Sequence, residues 1–219
     1  MISDRFLLSR IPHLVSRILH RISFRPATLL LFVLFGMPTR ADAHLMNTGF
    51  GPFYDGLTHL FVTPEDLLQV IALALLAGLR GPAVGRTVLF ALPVSWLFGS
   101  IAGLLLASEL TLPTASAVMA IVLGALVAAD KRLRPDIIIA ITIAAGFLNG
   151  ALNGMELSRA GSSSLLVLGV ATSVFVALAL LAGQAASLRA LWARTAVRVA
   201  GSWIAASGLF MLGWAMRAT

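Results

Sequence analysis

Three polar residues end a run that is otherwise almost pure hydrocarbon. In GFLNGALNGME, residues 146–156, the side chains of Asn149, Asn153 and Glu156 fall four and then three positions apart. Such spacings stack along one face of a helix. Ionisable groups at membrane depth are costly and usually line a bundle interior or a water-filled cavity. A plainer reading is open beside it: asparagine can hydrogen-bond across helices for about 0.6 kcal/mol, with Glu156 in water beyond the helix end.

A second group lies in GPFYDGLTHLFVTPEDLL, residues 51–68, which carries His59, Glu65 and Asp66. Here too two readings stand. Thr63 is an N-cap residue, Pro64 suits the first helical position, and acids in the first turn suit the helix dipole. His59 stands one turn before that cap, with Asp55 four residues earlier, in a segment rich in Phe and Tyr that could fold into the mouth of a bundle. The third candidate is His44. As a mature N-terminus it would offer an α-amine and an imidazole, nitrogen donors that suit Cu²⁺ and Ni²⁺.

The elements that must hold these residues follow from composition. Of 219 residues 59% are hydrophobic and 11% charged, with a mean hydropathy of +0.96. An ordinary soluble domain carries about a quarter charged residues, so the chain is an integral membrane protein. Its net charge of +7 comes mostly from arginines at segment ends and in the leader. Phosphate-binding loops and zinc-finger spacings are missing, and no nucleic-acid partner is expected. With no cysteine, disulfides and thiolate metal sites are excluded.

Residues 1–43 read as a signal peptide. Arg5, Arg10, Arg17, Arg21 and Arg25 form a basic start, ATLLLFVLFGM an apolar centre, and Ala41-Asp42-Ala43 a small-x-small cleavage pattern. Cleavage there would expose His44. A segment 44–63 then leads into a transmembrane domain, 64–219. Apolar runs of about 17–25 residues place helices near 64–80, 86–108, 113–129, 135–155, 162–187 and 195–216. Backbone groups in lipid must be bonded within their own segment, so the expected fold is all-α, a bundle of six transmembrane helices.

Charge sets the expected orientation. Arg80, Arg86, Lys131, Arg132, Arg134, Arg189, Arg194 and Arg198 fall on one side, Arg159 and Arg217 on the other. By the positive-inside rule the richer side is cytoplasmic, which puts both mature termini in the periplasm of a bacterial inner membrane. All seven candidates then lie on that outer side. Gly99 and Gly103, and Gly146, Gly150 and Gly154, are positions where neighbouring helices can approach closely.

The leader, the Ala-His junction, six spans and the two polar groups together resemble the HupE/UreJ family of hydrogenase and urease accessory membrane proteins. That family carries a His-Pro-x-x-Gly-x-Asp-His-like motif entering its first helix. The stretch from His59 through Glu65 and Asp66 lines up with it, with Glu65 at the aspartate and Asp66 at the second histidine. The family's His-Gly-x-Ala-His-Gly-x-Glu motif is matched by Asn149-Gly-Ala-Leu-Asn153-Gly-Met-Glu156, with asparagine at both histidines.

The resemblance implies a nickel-related permease or an accessory to metalloenzyme maturation. Its partners would be the bilayer, a transient divalent ion (nickel, cobalt or copper) and a metalloenzyme or its maturation proteins. His44, His59, Glu65, Asp66, Asn149, Asn153 and Glu156 would form the metal site, less selective for nickel than a polyhistidine one because carboxylate and amide oxygens favour harder ions. No ATP-binding motif is present, so transport would be secondary or facilitated. Gln184, Ser202 and Ser207 are the obvious continuations inward. An enzyme is not expected, since a hydrolase would need a stronger ligand set and a base.

Overall fold

Each of the apolar runs folds as α-helix. The computed structural model describes residues 48–106, 113–159, 164–188 and 191–217, all within one unit, Ala43–Thr219. The signal-peptide segment and His44 lie outside the described residues. Seven helices follow in order: α1 (Pro52–Val62), α2 (Pro64–Gly78), α3 (Pro82–Leu106), α4 (Pro113–Ala129), α5 (Pro135–Arg159), α6 (Ser164–Ser187) and α7 (Leu191–Ala215).

The first expected span differs from a simple crossing. α3, α5, α6 and α7 are long and apolar enough to traverse a bilayer, whereas α1 and α2 qualify only together, bent by 76°. α4 is apolar but shorter. Among the described residues four such helices, or five counting the bent pair, therefore stand where about six were expected. The bend has a local cause. Pro64 has no N–H and crowds the residue before it, which is pushed out of the helical region; Thr63 sits at φ −106°, ψ 87°.

Thr63 also departs from its expected role. Its hydroxyl makes no cap bond to α2 and instead donates to the His59 carbonyl at 2.6 Å, beside the backbone bond from the Thr63 amide to the same oxygen at 3.0 Å. Because Thr63 is at once the end of α1 and the start of α2, its hydroxyl closes the first helix. That bond fixes the turn carrying His59.

α2 is the central post. Val70, Ala72, Leu73, Ala74, Leu76 and Ala77 are all buried, so from Val70 onward the helix is apolar all round, as a helix enclosed by others must be. It packs against α6, α4 and α3 and touches α1, α5 and α7. At about 1.5 Å per residue its fifteen residues rise only about 22 Å, short of the ~30 Å hydrocarbon layer. α1 precedes it across the 76° bend.

Glycine sets the distance between α3 and α5. A Cβ on Gly150 would collide with the Trp96 carbonyl, and one on Gly103 with the Ala151 carbonyl. The two backbones thus touch along the small-residue stripes seen in the sequence. α1 is seated on α6 in the same way, through Gly56 and Gly169.

Candidate functional site

α1 turns Gly56, His59 and Leu60 inward, residues three and four apart that share one helical face, while Phe50, Tyr54 and Phe61 stay exposed. α2 brings Asp66 and Gln69 inward from its first two turns, and both are buried. α5 contributes Asn149 and Asn153, also buried. Three helices therefore place polar side chains at one end of the bundle, with α4 adding a backbone carbonyl.

Asn153 is the hub. Its Nδ2 donates to Asp66 Oδ2 at 2.8 Å and to the Asn149 carbonyl at 3.0 Å. Its Oδ1 lies 2.8 Å from His59 Nε2. Two oxygen acceptors around Nδ2 settle which end of the amide is nitrogen, since a flipped group would set oxygen against oxygen. Only an acceptor then faces His59, so Nε2 carries a proton and donates. In the neutral ring Nδ1 holds the lone pair.

A second branch runs deeper. Asn149 Nδ2 donates to Gln69 Oε1 at 2.7 Å, and Gln69 Nε2 donates to the Ser116 carbonyl at 3.3 Å. Asn149 Oδ1 is buried and has no hydrogen-bond partner. An unpaired buried acceptor costs about 1–3 kcal/mol. It is an oxygen ready to accept a proton donor or a cation.

Glu65 and Glu156 are half-buried, and the charge of Glu156 acts on both Glu65 and Asp66. His59 in turn acts electrostatically on Asp66. The structure thus joins His59, Asp66, Asn149 and Asn153 by direct contact or through Asn153, and sets Glu65 and Glu156 within electrostatic reach. His44 lies outside the described residues. Asp55 turns elsewhere: its Oδ1 accepts from the Thr48 amide at 2.7 Å and hydroxyl at 2.6 Å, tying down the segment ahead of α1.

Among the described residues no three His, Asp or Glu side chains are grouped closely enough to hold a metal ion. Any cation received here would rest on amide oxygens as well as on carboxylate and imidazole. The unpaired Asn149 oxygen is an available donor atom there, and the surrounding side chains are oxygen-rich.

Gln69 was not foreseen. Its signal was available, a lone amide three residues after Asp66 on the same helical face in an apolar run. Gln184 and Ser202, by contrast, are exposed, and the Ser202 hydroxyl donates to its own helix at the Val199 carbonyl. The polar path into the bundle runs through Asn149 and Gln69.

No curated protein and no solved structure matches the chain. The sequence does match the family described as HupE / UreJ protein over residues 31–211, most of its length. That stretch contains every helix of the polar network, and the family comprises membrane permeases and accessory proteins associated with nickel and cobalt rather than enzymes. The chain is a multi-pass helical membrane protein that belongs to the HupE/UreJ family.

Proposed function

We propose that the polar network receives a divalent transition-metal ion, nickel-like, at the outer face and passes it into the bundle by a secondary or facilitated route. The observation that carries this reading is the unbroken chain from His59 through Asn153 and Asn149 to Gln69, within which the Asn149 Oδ1 is buried and unpaired. In this account Glu65 and Glu156 attract the cation at the mouth. His59 and Asp66 take it up, and the amide oxygens of Asn153 and Asn149 hand it inward. Neutral oxygen ligands bind weakly, which suits passage, because a transport site must release its ion as well as bind it. The arginine-rich end faces the cytoplasm and the network faces the periplasm of a bacterial inner membrane.

A non-transporting accessory role for metalloenzyme maturation is favoured by one observation. The side chains of Asn149 and Asn153 tie α5 to α1 and α2, which is also what a packing device does. Metal accumulation in cells separates the two readings. Cells expressing the wild type are compared with His59→Ala and Glu156→Gln at matched levels in the membrane fraction. Transport requires accumulation to fall toward that of non-expressing cells in both variants. Unchanged accumulation rules out the transport site.

A further inference from the structure

At the opposite end of α2 from Asp66 lies a cleft of about 520 Å³ lined by Arg80, Arg132 and Arg194 together with Leu133 and Ala186. It forms where α2 and α6 end and where α5 and α7 begin. Its charge is unbalanced. Asp130 stands between two of the guanidiniums, Oδ1 at 3.4 Å from Arg80 and Oδ2 at 3.1 Å from Arg194. Arg132 is exposed and has no ion pair among the described residues. Three cations thus meet one carboxylate.

Arg80 supplies a second, independent sign. Its side chain is only 9% exposed, and its Nε–H is buried with no hydrogen-bond partner, although its terminal nitrogen bonds Asp130 and the Lys131 carbonyl. A buried charge is normally paired and fully hydrogen-bonded. Guanidinium groups in this state are suited to the planar, bidentate recognition of phosphate oxygens.

Beside the cleft, and sharing Ala186 with it, an apolar groove of about 170 Å³ runs between α3 and α6, lined by Leu89, Ala179, Ala182 and Gly183 with Arg86 at its edge. Gly183 has open space where a Cβ would stand. A polyatomic anion by itself needs no such groove, whereas an acyl chain does. We propose that the arginine cleft binds the phosphate group of an anionic phospholipid, with one acyl chain lying in the α3–α6 groove. Basic pockets between membrane helices take anionic headgroups in this manner, and the bound lipid would hold the α2, α5, α6 and α7 ends in register.

The test is native mass spectrometry of the purified full chain in detergent, titrated with phosphatidylglycerol, phosphatidylcholine or inorganic phosphate. Arg132→Gln is the informative headgroup variant, because Arg132 is exposed and its loss leaves the Arg80–Asp130–Arg194 arrangement intact. Gly183→Leu fills the groove, and Arg217→Gln serves as a distant charge control. Phosphatidylglycerol is expected to bind the wild type and the control alike. Occupancy should weaken about tenfold in Arg132→Gln, the equivalent of one lost charge-assisted hydrogen bond, and also weaken in Gly183→Leu. Equal retention of phosphatidylcholine, or binding unaffected by Arg132→Gln, would overturn the site. Full displacement by inorganic phosphate with no effect of Gly183→Leu would overturn the lipid and assign a free anion.

Discussion

Asn153 on α5 bridges two residues more than eighty positions away in sequence, with His59 Nε2 2.8 Å from its Oδ1 and Asp66 Oδ2 2.8 Å from its Nδ2. A single amide therefore accepts from one neighbour and donates to the other. It also locks the bend between α1 and α2, because His59 stands before Thr63 and Asp66 after it.

Removing that amide leaves a buried carboxylate and a buried imidazole without their partner. Asn153→Leu should destabilise the folded protein by about 2–4 kcal/mol, from unsatisfied groups that cost about 1–3 kcal/mol each. Thermal unfolding in detergent, followed by far-ultraviolet circular dichroism, measures it. A variant as stable as the wild type would show that the hydrogen bonds do not contribute.

Imidazole in place of amide should change ion preference. Asn149→His combined with Asn153→His introduces the two histidines of the motif that the α5 sequence resembles, and nitrogen donors favour nickel over harder ions. Isothermal titration with Ni²⁺ and Mn²⁺ should show tighter Ni²⁺ binding by the double variant and little change for Mn²⁺. Equal Ni²⁺ affinity would mean that α5 does not ligate the ion.

The α3–α5 contact permits no side chain at its closest points. Gly150→Ala should cost about 1–3 kcal/mol through overpacking, since its Cβ meets the Trp96 carbonyl, whereas Gly85→Ala points into open space and should be neutral or slightly stabilising. Comparison of the two melting temperatures checks the contact without reference to function.

Asp130 ends α4 at φ 46°, a left-handed conformation in which Asp and Asn are the best tolerated side chains other than glycine. Asp130→Asn keeps that backbone while removing the charge between Arg80 and Arg194. Breaking a buried ion pair from one side costs about 3–5 kcal/mol, and the partly open Asp130 site puts the expected loss at the lower end. Chemical denaturation of the purified protein gives the value. No loss would mean that the two guanidiniums are held by other groups.

Much was legible before any coordinates. The apolar runs located the helices to within a few residues, because lipid admits only segments that bond their own backbone. α4 begins and ends where the pattern put it, at 113 and 129. The shared face of Asn149 and Asn153 also followed from helical spacing alone. Thr63 could not be read so easily, since one hydroxyl had two helix ends to serve and only the angle between α1 and α2 decided which. Gln69 shares a helical face with Asp66, but its importance lies in an asparagine eighty residues away, which local spacing does not show.

Composition and periodicity by themselves determined that this is a helical membrane protein, which runs become helices, and which polar residues share a face. Both are local matters, set by hydrophobicity and by the 3.6-residue turn. Tertiary structure alone decided that the first apolar run is joined at a sharp bend to a helix from the segment before it, that His59 and Asp66 meet on Asn153, and that three distant arginines surround one cleft. Those outcomes depend on how close the glycine-lined helices come, and that distance is a property of pairs of segments which no single stretch of sequence contains.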